Sequence, residues 1–122
     1  MMLQEEDLSY VVRGCIYEVF KELGPGFLEK VYENALLREL RLQGLDAEAQ
    51  VPIKVQYKGA VIGEYFADLV IQRSIILELK AQQQLTVSAE AQLMNYLKAG
   101  EIRIGILVNF VHPRATIKRF IL

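Results

Sequence analysis

The sequence has one cysteine, Cys15, and one histidine, His112, among 122 residues. A single thiol excludes a disulfide framework, a cysteine zinc site and an iron–sulfur cluster built within one chain. Cys15 falls in an apolar helical stripe and reads as a small core residue. His112 follows a strand and precedes Pro113, which suits a loop residue better than a general base. No apolar run approaches the length of a membrane span, and the opening residues lack the pattern of a secretory leader. The expected setting is therefore cytoplasmic, with no membrane partner. Internal repeats, linkers and low-complexity stretches are also missing. Large net charge is absent too: the total is −1, so no global field draws in nucleic acid.

What is present is apolar. A hydrophobic content of 52% argues for a folded chain, and 122 residues suit a single domain spanning 1–122. A domain of that length buries roughly two-thirds of its unfolded surface, enough for one real core. Charge is unevenly spread. Residues 1–50 hold five Lys/Arg against ten Asp/Glu, and residues 51–122 hold nine against five. An acidic helical half and a basic sheet-bearing half fit that asymmetry, with mild support for a polyanionic partner.

Periodicity gives the elements in order. Leu8, Val11 or Val12, Cys15 or Ile16, Val19 or Phe20, and Leu23 recur at helical spacing, predicting a helix over 4–23. Gly24-Pro25-Gly26 stops it. A second helix is predicted from Phe27 to Gln43, with Val31, Tyr32, Ala35, Leu36 and Leu40 inward and Gly44 as its C′ residue. From Ala49 to Tyr57 the period changes to two, a strand in which Pro52 marks a beginning or an edge. Lys58-Gly59 turns into a strand over 61–71, and Gln72-Arg73-Ser74 into another over 75–81. Ser88 is the expected N-cap of a helix over 89–98 closed by Gly100. Arg103 to Asn109 form an aliphatic strand, parallel to its neighbour if the helix is a crossover, and 116–122 adds a last strand. The order ααβββαββ predicts a mixed α/β fold, a mixed sheet flanked by helices.

Residues 64–81 carry the chemistry. In the third strand Ile75, Leu77 and Leu79 alternate with Ile76, Glu78 and Lys80, so Glu78 and Lys80 share a face. In the second strand Asp68 lies opposite the apolar set Tyr65, Ala67, Leu69 and Ile71. Pairing of the two strands lets Asp68 approach Glu78. On this stretch alone two readings stand. One is a Glu78–Lys80 pair on the solvated face of an amphipathic hairpin. The other is a divalent-metal site, with Asp68 and Glu78 as hard oxygen ligands and Lys80 stabilising an anion or orienting water. Two further pairs share helix faces: Glu29 with Tyr32, three apart, and Gln92 with Tyr96, four apart. Each pair taken alone also suits an ordinary amphipathic helix.

Taken in order, Glu29, Asp68, Glu78-Leu79-Lys80 and Gln92-x-x-x-Tyr96 resemble the PD-(D/E)xK nuclease superfamily, in particular its RecB-like branch with the Q-x-x-x-Y helix. The small GxxExxY proteins are more similar still, their motif standing here at Gly26 to Tyr32. Glu90-Ala91-Gln92-Leu93-Met94-Asn95-Tyr96-Leu97-Lys98 and Gly105-Ile106-Leu107-Val108-Asn109-Phe110 also resemble that family, so the likeness covers nearly the whole chain. The resemblance implies a restriction-endonuclease-like core. In it Asp68 and Glu78 are metal ligands, the Leu79 carbonyl is a third, and Lys80 assists water activation or charge stabilisation. Glu29 completes the acidic cluster, while Gln92, Tyr96 and Tyr32 orient the site or touch the phosphate backbone. Ala67 stands where the superfamily name has proline, a residue without a ligand atom. The implied activity is that of a Mg²⁺- or Mn²⁺-dependent endo- or exodeoxyribonuclease with DNA as partner; a homo-oligomer or protein partners stay open. The alternative is a non-catalytic nucleic-acid-binding or protein-interaction module that keeps the fold.

Overall fold

The structure is a computed structural model and describes residues 5–122. Its elements are α1 (Glu5–Leu23), α2 (Glu29–Leu42), β1 (Ala47–Tyr57), β2 (Ala60–Ile71), β3 (Ile75–Lys80), α3 (Val87–Gly100), β4 (Ile104–Asn109) and β5 (Thr116–Ile121). The element order matches that expected from periodicity; the expected helix start at Gln4 lies outside the described residues.

The strands form one sheet in the order β1-β2-β3-β4-β5. β1–β2, β2–β3 and β4–β5 are antiparallel, and β3–β4 is parallel. The parallel pair follows from α3, which crosses over between β3 and β4. β1 and β2 are joined by the two-residue loop Lys58-Gly59, with φ of 48° and 84°, and β2 and β3 by the three-residue loop Gln72-Arg73-Ser74, with φ of 53° at both Gln72 and Arg73. That geometry matches the twist of the flanking strands. Gln72 accommodates it without glycine because it is pinned to the residue before β1: its amide donates to the Asp46 carbonyl at 2.7 Å, and its side chain accepts the Asp46 N–H at 2.5 Å.

α1 and α2 cover one face of the sheet. Leu8, Val12, Cys15, Ile16 and Val19 of α1 and Tyr32, Leu36 and Leu40 of α2 pack on Leu69, Ile71, Ile75, Leu77, Leu79, Ile104, Ile106 and Val108. α3 covers the other face, where Leu93, Tyr96 and Leu97 meet Ile53, Ala67, Val70, Ile76 and Leu107. β4 is buried along its whole length, as a central strand clad on both faces must be. Leu93 fits because position 105 is glycine: a Cβ there would lie 2.9 Å from Leu93 Cδ1.

Three local expectations change. The N-cap of α3 is Thr86, not Ser88; Thr86 Oγ1 accepts the Ala89 N–H at 3.2 Å. The left-handed residue closing α3 is Glu101, not Gly100. Gly100 is instead the last helical residue, and a Cβ there would come within 3.3 Å of Ile53 Cδ1. The third concerns faces. Ala47 and Ala49 pack with the α1/α2 layer, but Val51 and Ile53, of the same parity, pack with the α3 layer. Ala67 likewise differs from Leu69 and Ile71. Strand alternation has a period of two, so each strand must switch face in between. The switch falls at Gln50, whose φ is 52°, and at Asp68 opposite it. The Ala49↔Leu69 and Val51↔Ala67 pairs flank them with no residue inserted.

Candidate active site

The β2–β3 ladder runs from Ile71↔Ile75 to Leu69↔Leu77 and ends there. Beyond it the strands part, and the next opposed residues are Asp68 and Glu78. Buried main-chain groups still need partners, and the two carboxylates supply them. Glu78 Oε2 accepts the Asp68 N–H at 2.8 Å, and Asp68 Oδ2 accepts the Leu79 N–H at 2.8 Å. The acids thus sit in the opening between two strands, each bonded to a main-chain N–H of the opposite strand.

A third acid arrives from α2. Glu33 is only 4% exposed. Its Oε1 accepts from Gln50 Nε2 at 2.6 Å and its Oε2 from Lys30 Nζ at 2.5 Å. Gln50 Nε2 also lies 3.4 Å from Asp68 Oδ1. Burial raises the Asp68 carboxyl above its ordinary range, Glu33 adds to this, and the Leu79 N–H, Gln50 and Lys80 oppose it. Glu78 is pushed up to about 8, by burial first and then by the Asp68 charge, against the Asp68 N–H and Lys80. These acids are short of positive charge.

Lys80 is half-buried and acts on both carboxylates. It shares the wall of a pocket of about 270 Å³ with Gln82, Thr86, Ser88, Ala89 and Gln92. Tyr96 is buried, its hydroxyl raised by burial and by Glu78 and Asp68, and its ring lies 5.3 Å from that of Tyr65. Asp68, Glu78, Lys80, Gln92 and Tyr96 are therefore gathered around one end of β3. Leu79 belongs to the same place through its main chain. In a strand the N–H and C=O of one residue point to the same edge, so the carbonyl of Leu79 is directed toward β2, where its N–H meets Asp68.

Two expected members are elsewhere. Glu29 is exposed at the first residue of α2 and is not among the groups that shift Asp68 or Glu78. The helix carboxylate that reaches them is Glu33, one turn further in. Its position was readable as an acid set between the core positions Tyr32 and Leu36. Tyr32 does not face the acids. Its hydroxyl donates to the Gly24 carbonyl at 2.6 Å and accepts the Phe27 N–H at 3.3 Å, and its ring stacks on Phe110 at 4.3 Å. It secures the α1–α2 turn. His112, as expected, is an exposed residue beyond β4.

The raised acids set a pH dependence. An acid whose folded pKa exceeds its unfolded one binds more protons in the native state, so stability falls as pH rises between the two values. For Glu78 that window runs from the ordinary 4.5 to about 8, and Asp68 contributes in the same direction. In EDTA, the unfolding midpoint is expected to drop steadily from pH 5 to pH 8. A midpoint that rises over this range would contradict the raised proton affinity of the acid pair.

A family model described as the PD-(D/E)XK nuclease superfamily matches residues 6–120, and the chain belongs to that superfamily. PD-(D/E)XK nucleases generally use divalent metal ions. Among solved structures, the one titled crystal structure of SSO0001 superposes with a TM-score of 0.62 at 23% identity, covering 76% of this chain and 50% of that one. This chain thus spans half the length of that protein. An alkaline exonuclease, LHK-Exo from Laribacter hongkongensis, superposes with a TM-score of 0.57 at 8% identity over 99% of this chain and 72% of that one. At these identities the likeness shows the fold, which is the restriction-endonuclease-like one. No curated protein matches the chain.

Proposed function

We propose that this chain is a divalent-metal-dependent nuclease that hydrolyses phosphodiester bonds in DNA at the opening between β2 and β3. The observation that carries the reading is that Glu78 and Asp68 each accept a main-chain N–H from the opposite strand across that opening, those of Asp68 and Leu79, with Lys80 beside them. The donor set fits a hard dication. Two carboxylates with raised proton affinity, Glu78 buried and Asp68 half-buried, need a counter-charge, and each keeps an oxygen outside its main-chain bond. Among the described residues no three His, Cys, Asp or Glu side chains make a metal cage by themselves. That suits Mg²⁺ or Mn²⁺, which take one or two carboxylates and complete their shell with water and substrate oxygens.

Asp68, Glu78 and the Leu79 carbonyl would hold the ion, which when bound would lower the pKa of an attacking water and offset charge on the scissile phosphate. Lys80 supplies a fixed positive charge next to the acids, where it can steady the hydroxide or the phosphorane oxygens. Gln92, which shares the small pocket with Lys80, offers amide donors to a phosphate oxygen, and Tyr96 lies buried one turn further along α3. The Gly26-to-Tyr32 motif and the Gln92–Tyr96 pair favour the GxxExxY group and the RecB-like branch. On this reading the chain acts as a single domain in the cytoplasm.

The test is cleavage of single- and double-stranded oligonucleotides in Mg²⁺, Mn²⁺ or EDTA. Wild type is expected to cleave only with metal, and Lys80→Ala to lose roughly 10²–10³-fold in rate, the usual loss of one fixed electrostatic donor. Wild type that binds oligonucleotide but cuts none with either metal would make the chain a non-catalytic module on the same fold.

A further inference from the structure

Gln50 is the residue of the site region that pays in backbone strain. Its φ of 52° lies in the left-handed region inside a strand, with neither glycine nor a turn to account for it. Such a conformation persists where the surroundings hold it, and these positions cluster at functional sites. Here the distortion coincides with the face switch of β1 and aims the carboxamide at two acids. Its Nε2 is 2.6 Å from Glu33 Oε1 and 3.4 Å from Asp68 Oδ1. An amide nitrogen carries two hydrogens, one for each partner.

We propose that Gln50 is the positioning residue of the acidic site, a neutral clamp anchored on Glu33 of α2 that orients the free oxygen of Asp68 on β2 toward a divalent cation. Glu33 also takes Lys30 on its other oxygen, so the clamp fixes which oxygen turns toward Asp68. Asp68 Oδ2 is committed to the Leu79 N–H; Oδ1, the oxygen left for a cation, is the one beside Gln50. Neutrality matters. A lysine in this place would set a positive charge against Asp68 Oδ1, the oxygen left for the cation, whereas a carboxamide orders that oxygen and leaves its charge intact.

The proposal rests on the nuclease reading, and two variants separate them. Gln50→Met keeps length and backbone but removes the donor. Gln50→Gly removes the donor and relieves the positive φ, so its fold should not suffer. Three quantities are measured: Mn²⁺ affinity from the electron paramagnetic resonance signal of free Mn²⁺, the unfolding midpoint in EDTA, and kcat and KM for oligonucleotide cleavage. Both variants are expected to bind Mn²⁺ roughly 10- to 100-fold more weakly, the usual effect of losing a group that orients a ligand. Their kcat should fall while KM for the oligonucleotide stays within about twofold. Gln50→Gly should do so with a midpoint no lower than wild type. Wild-type Mn²⁺ affinity and kcat in both variants would overturn the clamp alone. Wild-type protein that neither binds Mn²⁺ nor cleaves would remove the nuclease reading, and the clamp with it.

Discussion

Asp68→Asn is expected to reduce metal-dependent cleavage by about 10³-fold or more, on the scale of losing a preorganised charged group, without unfolding the protein. Asparagine keeps a side-chain oxygen that can accept the Leu79 N–H now bonded to Asp68 at 2.8 Å. What it removes is the charge that, after burial, does most to raise Glu78 to about 8. In EDTA at pH 8 the variant should therefore unfold at or above the wild-type temperature. Adding Mn²⁺ separates the two further. A ligand that binds only the native state stabilises it by about 2.7 kcal/mol at one hundred times its dissociation constant, and the variant should lose most of that shift. An equal metal-induced shift in both proteins would remove Asp68 from the ligand set.

Leu93→Ala is expected to have the largest effect on stability. Leu93 is fully buried at the centre of the α3 layer and fills the space that glycine leaves at position 105. Truncating such a leucine costs about 2–5 kcal/mol, the loss of transfer energy plus the cavity left behind, a large part of the stability of an ordinary domain. Gln92→Ala, one residue away, should do the reverse. Gln92 is half-buried on the wall it shares with Lys80, so stability should change by about 0.5 kcal/mol or less while cleavage or oligonucleotide affinity falls. Denaturant unfolding and a binding titration on both variants read this out. Unchanged affinity and rate in Gln92→Ala would leave the Gln92–Tyr96 pair a matter of helix packing only.

Much of this arrangement was legible in residues 64–81. Alternation in β3 is clean, so the shared face of Glu78 and Lys80 follows from the pleat alone. The parity of Asp68 and the tight turn at Gln72-Arg73-Ser74 then bring the two acids opposite each other. The crossover through α3 was equally readable, because a helix between two short apolar strands leaves few other topologies. The face switch at Gln50 and Asp68 was not. Glycine and proline usually mark such breaks, and neither is there; the distortion is held by bonds to Glu33 and Asp68, contacts between elements that no local pattern records. Glu29 stands in the recognisable motif and Glu33 does not, yet depth along the helix decides which acid reaches the sheet. Tyr32 shares that motif, but its hydroxyl is occupied by the chain turn before α2. The cap at Thr86 went to the residue with the free approach to the Ala89 N–H, two positions ahead of the expected Ser88.

The central claim is that the opening between β2 and β3 is a cation site. The direct measurement is anomalous diffraction from crystals soaked in Mn²⁺. The account predicts one strong peak within about 2.0–2.6 Å of carboxylate oxygens of Asp68 and Glu78, the range for hard cations on oxygen ligands, and its loss in crystals of Asp68→Asn. Wild-type crystals with no peak between those two residues at saturating Mn²⁺ would contradict it.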